Sequence, residues 1–353
     1  MRLARCEVID PDAVTVAHVY NRTVRRCFLM GDDPISGENF DHRKVWIEQT
    51  LEQFAGLFGI DLIGYAVLSN HFHLILRTRP DVVASWSDEE VARRWLSICP
   101  VGKNKDGSAV APTDKHVRSI TGCSLKLAEI RRRLSDIAWW MRLLCQRVAT
   151  RSNKEDGQTG RFFQDRYKAT VLCDEASLLA CSLYVDLNLV RAAMAQTIED
   201  SDHTSIQRRV RAERAKIDPE ASPRRLTEAD FLSPLTINPD DPVGPDRSKS
   251  PHRCSDKGYL SMSVPDYLQL LDWTARQTAQ GKRGRTDGSV PPVLRRLGLL
   301  SGTFVELTRD FGSLFSHVAG GCERVDAMRS CRTGRQFKLR RRARQLLSGV
   351  GSD

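Results

Sequence analysis

Two histidines one residue apart, His71 and His73, stand in the run HFHLILR, which alternates as a β-strand does. Side chains at i and i+2 of a strand share a face. His71, His73 and Ile75 are therefore predicted on one face, with Phe72, Leu74 and Leu76 on the other. Paired imidazoles at this distance can chelate a divalent ion. The same pattern also suits two hydrogen-bonded core histidines, and a bare His-x-His leaves both readings open. A second group lies further along, where Leu179, Leu183, Leu187, Val190 and Met194 recur at helical spacing as a packing stripe. Tyr184, Asn188 and Arg191 fall one residue further round that helix and flank the stripe; a tyrosine at a packing margin would look the same. If the two groups face one another, they suggest a reaction. Two imidazoles and an amide oxygen leave positions open on a hard divalent ion for gripping a phosphate. Tyr184 would attack that phosphorus in line. A phenol with a pKa of about 10 needs nearby positive charge to do so at neutral pH. The product, a phosphotyrosine, conserves the bond energy, so rejoining needs no nucleotide, and the chain has no G-x-x-x-x-G-K-[ST] loop.

The elements that must position these residues follow from periodicity. Residues 13–20 alternate as a strand and run into a turn-like Asn21-Arg22-Thr23. A helix is predicted over 40–58, with Val45, Leu51, Phe54 and Phe58 as its apolar stripe. Residues 60–68 are apolar on both faces, as a central strand is, and a Ser69-Asn70 turn leads into the histidine strand at 71–77. A helix over 87–96 has Ser87 as N-cap and Glu90 completing a capping box. Residues 100–122 show no periodicity and are expected as an exposed loop. Ile137, Met141, Leu144 and Val148 mark a helix over 135–151. Residues 161–173 look extended, and Asp174 caps a helix reaching about residue 195.

Four segments together resemble a known family. Ser69-Asn70-His71-Phe72-His73-Leu74-Ile75-Leu76 resembles the HUH motif of single-tyrosine (insertion-sequence-200-like) transposases. Tyr184-Val185-Asp186-Leu187-Asn188-Leu189-Val190-Arg191 is similar to the catalytic helix of their REP-associated branch. Gly160–Lys168 (GRFFQDRYK) resembles the segment before that helix, and His18-Val19-Tyr20-Asn21-Arg22 the family's first strand. The likeness spans residues 10–195. It implies an α+β fold with a ferredoxin-like antiparallel sheet, His71, His73 and Asn188 as metal ligands, and Tyr184 as nucleophile. It also implies cleavage of single-stranded DNA, often at hairpin ends, giving a 5′-phosphotyrosine and a free 3′-OH. Leu189 stands where the branch has Pro, and residues 80–124 look expanded.

Composition fits that class of partner. The 353 residues carry 54 Lys and Arg against 44 Asp and Glu, a net charge of +10 that suits a polyanion. Residues 121–170 alone carry eleven Lys or Arg against five Asp or Glu. Arg22, Arg161, Arg166, Lys168 and Arg191 are the candidate DNA contacts. Trp139 and Trp140 could stack bases or pack in a core. No run approaches the roughly 20 apolar residues of a membrane helix, and the N-terminus turns acidic before any signal-peptide core. Ten scattered cysteines without a Cys-x-x-Cys pair fit reduced thiols in a cytoplasmic protein. An RNA-binding sheet of RRM type would show aromatics where His71 and His73 stand.

Prolines at 234, 239, 242, 245 and 251 suggest a linker. The expected organisation is a catalytic domain over 1–215, a linker over 216–254, and a small helical domain over 255–353 ending in the acid-free basic run 332–344. Truncation near residue 218 is then expected to weaken DNA binding and leave the chemistry intact. The expected partners are single-stranded hairpin DNA and Mg²⁺ or Mn²⁺, with no membrane. A monomer and a homodimer both fit, as does a domesticated hairpin-binding protein that no longer transposes.

Overall fold

The structure, a computed structural model, describes residues 5–105, 108–217, 228–240, 244–279, 292–330 and 337–348. Through the first half the chain runs α1 (Arg5–Val8), β1 (Val16–Arg22), a 3₁₀ turn (Val24–Arg26), α2 (His42–Leu57), β2 (Ile60–Val67) and β3 (His71–Thr78). It continues through α3 (Pro80–Ala84), α4 (Asp88–Ile98), α5 (Asp114–Thr121), α6 (Ser124–Leu134), α7 (Ile137–Glu155), β4 (Lys168–Leu172), α8 (Glu175–Asp186), α9 (Asn188–Arg191) and α10 (Ser205–Ile217). Beyond these lie α11 (Val264–Ala279), α12 (Pro292–Arg296), α13 (Ser301–Leu314), β5 (Val318–Ala319), α14 (Cys322–Ser330) and α15 (Arg341–Ser348).

The fold is α+β. Five strands form one sheet in the order β2-β3-β1-β4-β5, antiparallel except for the parallel β4–β5 pair. The strand alternation sorts side chains between two helical layers. Asn21 on β1 reaches Cys145 of α7, so the alternate residues His18, Tyr20 and Arg22 face the opposite side. There His18, Tyr20 and Arg22 stand in register with Ile75, His73 and His71 of β3. On the far side, Phe54 and Phe58 of α2 meet Trp140 of α7 at ring distances of 5.3 and 5.2 Å, anchoring that layer. Trp140 is thus core, whereas half-buried Trp139 lies between the Arg133 and Arg142 guanidinium groups.

The β2–β3 hairpin forms where alternation predicts it, closed by a Leu68 N–H to His71 carbonyl bond of 2.8 Å. Its first strand is not central, however. β2 is a sheet edge, and its double-sided apolar sequence has another cause. Residues 203–205 and 232–233 lie along the edge, with Val67 N–H donating to His203 O and Ser233 N–H to Leu62 O. An edge strand covered in this way is protected from pairing with other chains.

Other expectations need correction. β1 continues through Asn21 and Arg22 instead of turning there. Val45 is exposed on α2, because the buried stripe runs through Ile47, Leu51 and Phe54. Residues 114–121, expected as loop, form α5, capped reciprocally by Thr113 and His116. Ser87 does cap α4, but the Glu90 carboxylate turns to Arg94 and Arg247. The predicted helix over 174–195 breaks at Leu187 into α8 and α9, and Met194 lies outside both, exposed.

Much of the stretch expected as a linker is packed. Phe231, Leu232 and Leu235 are buried. Arg77 of β3 donates to the Gly258 and Lys257 carbonyls, while Ser255 donates to the buried Asp61 carboxylate on β2. Residues 218–227 and 241–243 lie outside the described residues. The C-terminal segment likewise joins the sheet, since β5 pairs with β4 and α13 packs on α8. Of the basic run 332–344, Arg332 and Arg335 lie outside the described residues, Arg342 pairs with Glu306, and Arg344 pairs with Asp326.

Candidate active site

The histidine face of the sheet lies beneath α8 and α13. His71 and His73 sit side by side on β3, their ring centroids 5.0 Å apart. Tyr184 projects from the last turn of α8, its ring edge-on to His73 at 5.5 Å. Two residue groups separated by more than a hundred positions thus meet, because α8 packs directly on the sheet with Leu179, Leu183 and Leu187 fully buried. The start of α8 is held by Asp174, which accepts from Ser177 N–H at 2.8 Å and from Gly321 N–H at 2.6 Å. Gly320 makes that last approach possible. Its φ is +155° and a Cβ there would sit 2.9 Å from the Cys173 side chain.

Asn188 follows the break at Leu187, which sets it on α9 and not on a continuous helix with Tyr184. Its side-chain nitrogen is buried with no hydrogen-bond partner among the described residues. Arg191 lies over the Tyr184 ring at 5.0 Å. Its guanidinium donates to the Thr308 and Arg309 carbonyls of α13. Phe311 of α13 also packs against the tyrosine, at a ring distance of 5.7 Å.

The structure adds a group that sequence reasoning did not single out as a site residue. His18 of β1, 2% exposed, places its Nε2 2.8 Å from His73 Nδ1, and the two rings lie within 7° of parallel. Tyr20 packs against both histidines. The available signal was a polar residue inside the apolar alternation of AVTVAHVY, since a buried polar group is the informative exception in a strand.

Burial governs the protonation of all three imidazoles. It holds His18 down to about 3, and it lowers His71 to about 4, with Arg22 adding to the effect. Burial, helped by His18 and His71, holds His73 well below the usual histidine range. All three are therefore neutral, with lone pairs available, at neutral pH. Burial raises the Tyr184 phenol above its ordinary value, and the Arg191 charge opposes that rise.

The donor set fits a divalent ion held through Nε2 atoms. His71 Nδ1 is engaged by Asn70 Oδ1 at 2.6 Å and His73 Nδ1 by His18. His73 Nε2 is buried with no hydrogen-bond partner among the described residues. Among the described residues, no three His, Cys, Asp or Glu side chains are placed to share one ion. A two-histidine site would need its further ligands from Asn188 or from substrate.

Four of the five candidate DNA contacts lie along one edge of this site, whereas Arg191 is committed to the α13 carbonyls over Tyr184. Arg22 and Lys168 flank the Tyr20 ring, each 5.6 Å from its centroid. Residues 162–164 run beside the end of β1, where Val24 N–H donates to Phe162 O and Gln164 N–H to Arg22 O. Arg161 and Arg166 are exposed there. The wider basic stretch is partly neutralised, since Arg131 pairs with Asp88 and Arg132 and Arg133 with Glu129. Tyr167 is buried in the core. No helix of the described residues is long and apolar enough to cross a membrane.

No family model matches this chain, and no curated protein matches it. Among solved structures, it is similar to a REP-associated tyrosine transposase bound to a REP hairpin. That similarity covers 60% of this chain and 86% of the other, with 13% sequence identity and a TM-score of 0.32, a distant structural relation.

Proposed function

We propose that this protein is a DNA strand-transfer enzyme of the single-tyrosine HUH type. The observation that carries the proposal is that Tyr184 lies edge-on to His73, beside His71, on one face of the sheet, where His73 Nε2 is buried with no hydrogen-bond partner among the described residues. The order of elements, β1-α2-β2-β3-α7-β4 with strands arranged β2-β3-β1-β4, supports the ferredoxin-like sheet that the sequence resemblance implies.

His71 and His73, with the Asn188 amide oxygen, would hold Mg²⁺ or Mn²⁺. When bound, such an ion supplies charge neutralisation at a phosphate oxygen. The protein's own residues do the rest. Tyr184 Oη attacks the phosphorus, the bond to O3′ breaks, and the leaving oxygen takes up a proton to become a 3′-OH. The 5′ end remains as a phosphotyrosine, and attack by another 3′-OH reverses the step. The raised phenol pKa means that Tyr184 enters as a neutral hydroxyl and must lose its proton as it attacks. The Arg191 guanidinium beside the ring favours the anionic form. Arg22, Arg161, Arg166 and Lys168 would bind the DNA backbone at the edge of the site. A hairpin-binding protein without strand transfer is the alternative. The presence together of His71, His73, Tyr184 and Asn188 argues against it.

The test incubates the full chain with end-labelled single-stranded hairpin DNA and Mn²⁺, with and without chelator. The expected result is a denaturation-resistant protein–DNA adduct that requires the ion. Tight hairpin binding with no adduct in Mn²⁺ would favour the binding protein.

A further inference from the structure

We infer that His18 is a positioning residue that fixes the tautomer of His73 and thereby presents its Nε2 lone pair to the site. The inference rests on the metal-binding reading of His73 given above. Its geometric basis is the 2.8 Å contact between His18 Nε2 and His73 Nδ1, made between two buried, nearly parallel rings.

A hydrogen bond between two neutral imidazoles holds one proton, so only two arrangements exist. If His18 Nε2–H donates, His73 Nδ1 is the acceptor and the His73 proton must sit on Nε2. That nitrogen would then be a buried donor with no acceptor among the described residues, a costly state, and it could not ligate an ion. If instead His73 Nδ1–H donates to His18 Nε2, the His73 Nε2 carries a lone pair and is free to ligate, while the His18 proton moves to Nδ1.

The neighbouring ligand shows the same wiring by independent means. His71 Nδ1 lies 2.6 Å from Asn70 Oδ1, which can only accept, so His71 must donate from Nδ1 and leave its lone pair on Nε2. An outer partner that binds the far nitrogen of a ligating histidine fixes both ring orientation and tautomer. Asn70 serves His71 in this way, and His18 serves His73. His18 is itself held in place, edge-on to Tyr184 at 5.9 Å and to Phe311 at 6.0 Å. The strand register supplies the pairing, since His18 lies diagonally across from His73 on the adjacent strand.

The experiment uses the full-length protein with ¹⁵N-labelled histidine. The His73 tautomer is read by ring ¹⁵N–¹H correlation without metal, and Mn²⁺ affinity by the loss of the free-ion paramagnetic resonance signal. Two variants separate acceptance from packing: His18→Gln retains an oxygen that can accept from His73 Nδ1–H, and His18→Leu does not. The wild type should show His73 protonated at Nδ1. His18→Leu should weaken Mn²⁺ binding by about tenfold or more, and His18→Gln should stay within about threefold of wild type. A wild-type His73 protonated at Nε2 would overturn the inference even if His18→Leu fails to fold. So would equal losses in both variants with their melts intact, which would mark His18 as packing alone. If the wild type binds no Mn²⁺ and forms no adduct, the proposed function fails, while the tautomer remains separately measurable.

Discussion

Truncation after residue 217 provides a stringent test of how the chain is built. The sequence suggests that the remaining segment would keep its chemistry, whereas the structure predicts that it would lose its fold. Such a cut removes Leu232, which covers β2, and takes some of the hydrogen-bond partners of three buried charged groups, leaving them their ion pairs to one another and to Asp81. Arg77 loses the Gly258 and Lys257 carbonyls, Arg79 loses Ser255, and Asp61 loses both Ser255 and Cys254. Each hydrogen bond to a charged group lost in this way costs about 1.5–3 kcal/mol. The cut also removes β5 and α13, uncovering the outer face of α8 around Tyr184 and the β4 edge. Each well-buried apolar side chain newly exposed costs about 1.5–3 kcal/mol. A few such losses together match the whole stability of a domain, about 5–15 kcal/mol. Thermal unfolding followed by near-ultraviolet circular dichroism, on the full chain and on residues 1–217, measures the effect. The shortened chain should show no cooperative transition. A cooperative melt within a few degrees of the full-length midpoint would refute the reasoning and restore the C-terminal segment as a separate module.

Two further predictions concern the paired histidines and a buried carboxyl of α8. His71→Ala should lower Mn²⁺ affinity and cleavage together with little change in melting temperature, because this ring is only partly buried. His73→Ala should cost stability as well, since it empties a buried position hydrogen-bonded to His18 and packed against Tyr20; equal melting temperatures for the two variants would contradict this. Asp186 is buried among the Tyr267 and Ser205 hydroxyls, and burial raises its carboxyl from 3.8 to about 6. Because the folded pKa lies above the unfolded one, the stability it contributes is fully present below about 3.8 and lost as pH rises through about 6. Denaturant titrations should show that loss between pH 4 and 6, and Asp186→Asn should flatten it; an unchanged slope in the variant would place the titrating group elsewhere.

What could be read from the chain depended on how local the determining pattern was. The β2–β3 hairpin and the two faces of β3 follow from period-two alternation, and the core face of α7 follows from its helical stripe. His18 was harder to see because its partner lies 55 residues away and is supplied by strand register. β5 is two residues long and exists only through its pairing with β4. The apolar faces of β2 suggested a central strand because burial by flanking segments leaves the same sequence mark as burial between strands. α5 was missed because it is a single eight-residue helix whose cap pairs Thr113 with His116 in place of a glutamate. The break at Leu187 lies in a run whose periodicity continues on both sides, so its sequence gave no stop signal. The Pro-rich stretch read as a linker because its buried apolar residues, Phe231, Leu232 and Leu235, are few and fall in no strand or helix period.

The central claim is that Tyr184 is the nucleophile. The direct measurement compares Tyr184→Phe with Tyr167→Phe in the Mn²⁺-dependent adduct assay, with hairpin affinity measured in parallel. Tyr184→Phe removes one hydroxyl and should abolish the adduct while hairpin binding stays within a few-fold of wild type. Tyr167→Phe, altered in the core and not beside the histidines, should still form the adduct. An adduct that survives in Tyr184→Phe and disappears in Tyr167→Phe would contradict the account.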